Sequence, residues 1–177
     1  MADVLTPEQR RLNMSRIKGR NTKPELILRR GLHARGLRFR LHRKDLPGRP
    51  DLVFPRYRAV ILVHGCFWHG HSCPLSKMPA TRPDFWANKI GRNKDHDRQV
   101  LESLHASGWR TLVVWECALR GTARLGVENV VEQCAHFVQA QKWNSASLEG
   151  IWRIRGGVSL MRTGLRRAGK QRSQAAS

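Results

Sequence analysis

Apolar positions along the chain change period several times, and each change marks an element. Thr6-Pro7-Glu8-Gln9 sets a hydroxyl, a proline and a Gln at the spacing of a helix start, so a first helix is expected from there to about Lys18. Leu12, Met14 and Ile17 give it too thin an apolar face for firm burial, and it reads as a basic arm or a fraying terminus. Thr22-Lys23-Pro24-Glu25 repeats the pattern and opens a helix that buries Leu26, Leu28 and Leu32 and stops near Gly36. Leu37, Phe39 and Leu41 then alternate with Arg38, Arg40 and His42, which predicts a half-buried strand with a basic face. The runs from Asp51 to Phe54 and from Ala59 to Val63 flank a short turn at Pro55 to Arg58, the pattern of a β-hairpin.

After Cys73 the prolines at 74, 79 and 83 break any period, so a loop is expected to lead into a short helix carrying Asp84, Phe85, Trp86, Lys89 and Ile90. Asn93 is expected to cap a separate, longer helix with Val100, Leu101 and Leu104 inward, ending at Gly108. Arg110 to Glu116 is short and almost wholly apolar, as a buried parallel strand should be, and Cys117 follows at its end. Residues 126–140 form an amphipathic helix with Val130, Val131, Cys134, Phe137 and Val138 inward, so Cys134 is most simply a small core residue. From Trp143 the pattern decays. The order of elements predicts an α/β domain with a small mixed central sheet flanked by helices, spanning residues 21–142 between a basic arm (1–20) and a basic, disordered tail (143–177).

Charge points to a partner. The 177 residues hold 33 Lys and Arg against 13 Asp and Glu, a formal net charge of +20, and such an excess favours a polyanion. The ends carry most of it, with seven basic and no acidic residues after Glu149, so the chain reads as a near-neutral core with nucleic-acid-gripping flanks. No apolar run approaches the length of roughly 20 residues that a membrane span needs, and the start MADVLTPEQRR lacks a signal-peptide core, so no membrane association and a cytoplasmic location are expected.

The chemistry concentrates between Leu46 and Cys73. Asp51 opens the first hairpin strand and His64 ends the second, so a carboxylate and an imidazole stand at neighbouring strand ends, where open α/β sheets place their sites and where a metal is readily held. Four cysteines in a cytoplasmic chain argue for a metal or buried thiols rather than disulfides. Cys66, His71 and Cys73 are close together and Cys117 is distant. One nitrogen and three sulfurs are the composition of a closed tetrahedral structural zinc site. Asp97 either completes the electrostatics of a helix start or partners an active-site histidine. Glu25 has an ordinary capping role available. Two function classes follow: a metal-dependent enzyme acting on nucleic acid, or a zinc-stabilised nucleic-acid-binding protein without catalysis.

The segments PGRPDLVF, AVILVHGCFWHGHSC, PATRPDFWANKIGRN and VVWECALRG closely resemble the very short patch repair endonucleases over roughly residues 8–121. That resemblance implies a restriction-endonuclease-like core whose usual second acidic residue and lysine are replaced, here by Leu62 and His64. It implies nicking of the thymine-containing strand 5′ of a T:G mismatch, the lesion left when 5-methylcytosine deaminates, by hydrolysis dependent on two magnesium ions. Asp51 and the backbone carbonyl of Val63 would bind magnesium, with His64, His69 and Asp97 around the metal-bound waters and Glu25 nearby, as catalytic residues or, for Glu25, as a cap. His69 is the candidate to move the proton, with Asp97 fixing its tautomer. Phe67, Trp68 and Trp86, with Lys89 beside them, would intercalate next to the mismatch, and Met14 would enter from the opposite groove. Double-stranded DNA with a T:G mismatch is the implied partner of a monomeric enzyme, with mismatch-repair factors of the MutL type as further partners.

Overall fold

The computed structural model describes residues 6, 8, 9, 11, 12, 19–140 and 144–149. Near the start, Thr6 and Gln9 exchange hydrogen bonds between backbone N–H and side-chain oxygen, at 3.0 and 3.2 Å, so the capping pattern forms as the sequence predicts. Met14 lies outside the described residues.

Helix α1 spans Lys23–Ala34, with Thr22 as its N-cap and Pro24 in its first turn. Gly36 at φ 78° closes it. Leu37 N–H returns to Leu32 O and Gly36 N–H to His33 O, the paired bonds of a Schellman ending. Leu37 is therefore spent on closing the helix, and the strand expected from it shrinks to β1, Arg40–Leu41. Strands β2 (Leu52–Phe54) and β3 (Ala59–His64) form the expected hairpin, with Leu52 opposite Ile61 and Phe54 opposite Ala59. Their turn is a single 3-10 coil at Pro55–Tyr57, reversed by Arg58 in the left-handed region.

Helix α2 departs from expectation. One 24-residue helix, Pro83–Ala106, replaces the two anticipated on either side of Asn93. Asn93 is interior to it, and its amide donates to Trp68 O at 2.8 Å instead of capping. Ile90, Asn93, Asp97, Val100 and Leu104 recur three or four residues apart, so they share one stripe, and packing of that stripe outweighs the local start signal. Asp97 is consequently mid-helix, far from any helix-start electrostatics.

Strand β4 (Arg110–Trp115) lies parallel to β3, with Ala59 opposite Arg110 and His64 opposite Trp115. A short helix α3 (Glu116–Leu119) carries Cys117, and α4 (Val127–Ala140) buries Val130, Val131, Cys134, Phe137 and Val138 as expected. Strand β5 (Ser145–Leu148), parallel to β4, falls where the pattern had faded at Trp143. Only Ala146 and Leu148 alternate inward there, too few to stand out in the sequence. The result is a five-stranded mixed sheet, order β1-β2-β3-β4-β5.

Each sheet face has its own core. One joins Leu28 and Leu32 of α1, Ile61, Leu112 and Leu148 of the sheet, and Val130, Cys134 and Phe137 of α4. The other joins Val53, Val60, Leu62 and Val113 to Val100 and Leu104 of α2 and to Trp109. Each fully buried aliphatic contributes about 1.5–3 kcal/mol relative to exposure, which makes the sheet a firm platform. Arg110, buried, ties the layers by donating to Phe137 O and Val138 O at 2.8 Å, the free carbonyls of the last turn of α4, and to Tyr57 O at 3.0 Å. Among the described residues, no helix is long and apolar enough to cross a membrane.

Candidate active site

Asp51 immediately precedes β2, and its Oδ2 accepts the Val63 N–H at 2.7 Å. The carboxylate thus takes the place of the next rung of the β2–β3 ladder and is fixed by β3. Glu25, from the first turn of α1, reaches the same place and is 2% exposed. Its carboxylate accepts from Asn21 N–H at 2.8 Å and Arg29 at 2.7 Å, so capping and site duties coincide. His42, at φ 45°, completes the group, with ligand atoms of Glu25, His42 and Asp51 all within 4.8 Å of one another. Burial pushes Asp51 up to about 7, and the neighbouring Glu25 carboxyl adds to the shift while Val63 N–H and Arg29 oppose it. A half-buried Asp51 carboxyl facing the buried one of Glu25 fits a hard divalent cation, which would favour the ionised form of Asp51. Arg29 Nη2 lies 2.9 Å from His42 Nε2, so that nitrogen accepts and is engaged by the protein.

A second group stands beside it. The His64 and His69 rings stack with centroids 3.9 Å apart, and Trp115 meets His64 edge-on. His69 Nδ1 is 2.6 Å from Asp97 Oδ2. His69 comes back over His64 because the chain coils tightly: His69 N–H bonds Gly65 O, Gly70 N–H bonds Phe67 O and His71 N–H bonds Cys66 O. Gly70 has φ 60°, and a Cβ there would lie 2.5 Å from Ile90, so only glycine permits the approach to α2. Burial, then the charge of His69, depresses His64 to about 3. Burial disfavours ionisation of Asp97, but the hydrogen bond with His69 prevails and holds it below the ordinary carboxylate range. The resulting division is a neutral His64 and an ionised Asp97 holding Nδ1–H of His69, which leaves His69 Nε2 to accept a proton.

Both groups open into one cavity of about 610 Å³, whose wall includes Asp51, Val63, His64, His69 and Asp97 together with Arg20, Lys44 and Arg49. The three basic residues suit an anionic phosphate, and nothing in their local sequence marked them out. The same holds for His42, which alternation placed merely on a polar strand face.

Cys66, His71, Cys73 and Cys117 converge separately, their ligand atoms within 4.8 Å of one another and the three thiols buried. Cys117 Sγ lies 3.6 Å from His71 Nδ1. Metal bonds of about 2.3 Å to sulfur and about 2.0–2.1 Å to nitrogen at a tetrahedral angle separate the two ligand atoms by about 3.6 Å, so the spacing suits zinc. A hydrogen bond with Cys117, then burial, pushes the Cys66 thiol up. The cluster links the loop after β3 to α3, expected from the sequence only as a sum of spacings.

Phe67, Trp68 and Trp86 form one half-buried cluster with centroids 5.1–6.0 Å apart across Phe67–Trp68, Phe67–Trp86 and Trp68–Trp86. Phe85, exposed, extends it through Trp86. Lys89 Nζ sits 5.3 Å from the Trp68 ring and 5.6 Å from that of Trp86, a cationic aromatic surface beside the cavity.

The family model described as DNA mismatch endonuclease Vsr matches residues 2–75. The DNA mismatch endonuclease Vsr of Escherichia coli is 48% identical over 138 residues, covering 78% of this chain and 88% of that protein. The type II nicking enzyme V.XorIIP of Xanthomonas oryzae pv. oryzae is 48% identical over 134 residues, covering 75% of this chain and 98% of its own length. V.NmeAIP of Neisseria meningitidis, also a type II nicking enzyme, is 39% identical over 123 residues, covering 70% and 88%.

Proposed function

The chain belongs to the DNA mismatch endonuclease Vsr family and is a strand-nicking DNA hydrolase, and from that premise we propose that it nicks the thymine-containing strand 5′ of a T:G mismatch in a magnesium-dependent reaction. The observation that carries this reading is the single cavity shared by the Asp51 group, the His69–Asp97 pair and three basic side chains. Asp51 and the Val63 carbonyl would hold magnesium, with Glu25 beside them. When bound there, the cation polarises the scissile phosphate and acidifies water.

His69 takes the proton of the attacking water at Nε2 as the new P–O bond forms and the P–O3′ bond breaks. The 3′ oxygen leaves to take a proton from solvent, and the 5′ side keeps the phosphate. Asp97 holds Nδ1–H and stabilises the imidazolium that forms. His64, kept neutral, supports the His69 ring from below and keeps a second positive charge out of the stack. Arg20, Lys44 and Arg49 bind the flanking phosphates. Cys66, His71, Cys73 and Cys117 would hold a structural zinc that pins the loop carrying His69. Phe67, Trp68 and Trp86, with Lys89, enter the base stack at the mismatch, where unstacking costs least. Met14 of the arm completes the insertion from the other groove.

We assign residues 1–20 to a gripping arm and the nuclease domain to residues from 21 on, carried past 142 to include β5; the basic tail expected after it lies, from residue 150, outside the described residues. A monomeric, cytoplasmic enzyme working with MutL-type repair factors follows from the family resemblance. The test is incubation with a duplex labelled on each strand, with a T:G or T:A pair and with or without magnesium. A nick 5′ of the thymine, only in T:G and only with the cation, supports the proposal; tight binding without a nick, or a nick in the guanine strand, refutes it.

A further inference from the structure

Glu149 belongs to none of the sites named from the sequence, yet its Oε2 lies 2.7 Å from His71 Nε2. Resting on the zinc reading of the Cys66–His71–Cys73–Cys117 cluster, we propose that Glu149 is the positioning residue for His71, and that the metal clasp therefore includes the final described strand.

The two nitrogens of His71 face different partners. Nδ1 is directed at the thiols, 3.6 Å from Cys117 Sγ, while Nε2 meets Glu149. An imidazole that offers the lone pair of one nitrogen to a metal carries its proton on the other. Nε2–H then donates to Glu149, whose negative charge fixes the tautomer and strengthens Nδ1 as a donor. Burial makes the bond matter, since the His71 and Glu149 side chains are 7% and 19% exposed. The ring is pinned further by Trp115, stacked at 4.1 Å, and Trp115 Nε1 donates to Ser147 Oγ at 3.1 Å.

Strand alternation explains the arrangement. Ala146 and Leu148 turn inward to the α4 core, so Ser147, and Glu149 just past the strand end, share the opposite face, where Trp115 and His71 lie. Ala146 and Leu148 anchor β5 on the α4 side, and on the opposite side the Glu149–His71 bond adds to that between Trp115 and Ser147.

The full-length chain is purified with its zinc and challenged with a colorimetric chelator under native conditions, alongside Glu149→Ala, Glu149→Gln and Ser147→Ala. Glu149→Ala is expected to retain zinc 10–100-fold more weakly than wild type. Glu149→Gln keeps an acceptor oxygen without the charge and falls between. Ser147→Ala removes a side-chain bond from the same strand that reaches His71 only through the Trp115 stack, so it retains zinc more tightly than Glu149→Ala. Cobalt substituted into Glu149→Ala is expected to show an altered ligand-field spectrum at equal occupancy. Wild-type retention by Glu149→Ala overturns the inference, as does equal loss from Ser147→Ala, which would assign the effect to the strand. A wild-type protein that purifies without stoichiometric zinc and gives no tetrahedral cobalt spectrum overturns the zinc reading itself.

Discussion

Asp51→Asn should make the protein more stable as it makes it inactive. The native Asp51 is lifted from 3.8 to about 7, chiefly by burial and then by Glu25. Below pH 3.8 the carboxyl is protonated in both native and unfolded chains and contributes no difference. Between 3.8 and 7 the unfolded chain ionises while the native one keeps its proton, so stability falls as pH rises through this window and levels off above 7. At about 1.4 kcal/mol per unit the cost at pH 8 is on the order of 4 kcal/mol. Asparagine carries no charge and keeps an oxygen for the Val63 N–H, so it escapes that cost. Urea unfolding of both proteins without added magnesium, at intervals from pH 4 to 8, measures the difference. The variant should gain on the order of 3–4 kcal/mol at pH 8 and almost nothing at pH 4, with nicking abolished and DNA binding retained. Saturating magnesium should narrow the gap by stabilising only the wild type. Equal stability at pH 8, or a gain that does not change with pH, would refute the account of Asp51 pushed up by burial and by Glu25.

His64 acts in the opposite sense: neutral down to about pH 3, it contributes stability that is complete above its ordinary value of 6.5 and is lost as pH falls towards 3, so His64→Asn should flatten the acid limb of the urea midpoint, and an unchanged limb would count against its burial as the cause. His69→Ala should lower single-turnover nicking by about 10²–10⁴-fold with mismatch affinity intact; loss of affinity in parallel would make His69 a binding residue. Cys117→Ser should lower zinc content and thermal midpoint together, and full zinc content by elemental analysis would remove it from the ligand set.

Much of this protein is written locally. Thr22, Pro24 and Gly36 bound α1, the hairpin runs set the register of Leu52 against Ile61, and the inward face of α4 is that of its apolar spacing. The density of ligand-bearing side chains between Asp51 and Cys73 likewise announces a site, because such residues are costly to place together without use. These features depend on neighbours a few residues apart, which is the range that sequence patterns encode.

Where signals compete, packing decided. Asn93 has the look of a helix start, yet the stripe from Ile90 to Leu104 carries the helix through it and thereby aims Asp97 at His69. Strand β5 has too few apolar residues to be seen, and forms because β4 offers an open edge and α4 a surface for Ala146 and Leu148. Arg20, Lys44 and Arg49 reach the cavity, His42 joins Glu25 and Asp51, and Glu149 finds His71 across 78 positions of sequence. Each of these contacts belongs to a meeting of distant segments, so its energy has no counterpart in either segment alone and exists only once the sheet has brought them together.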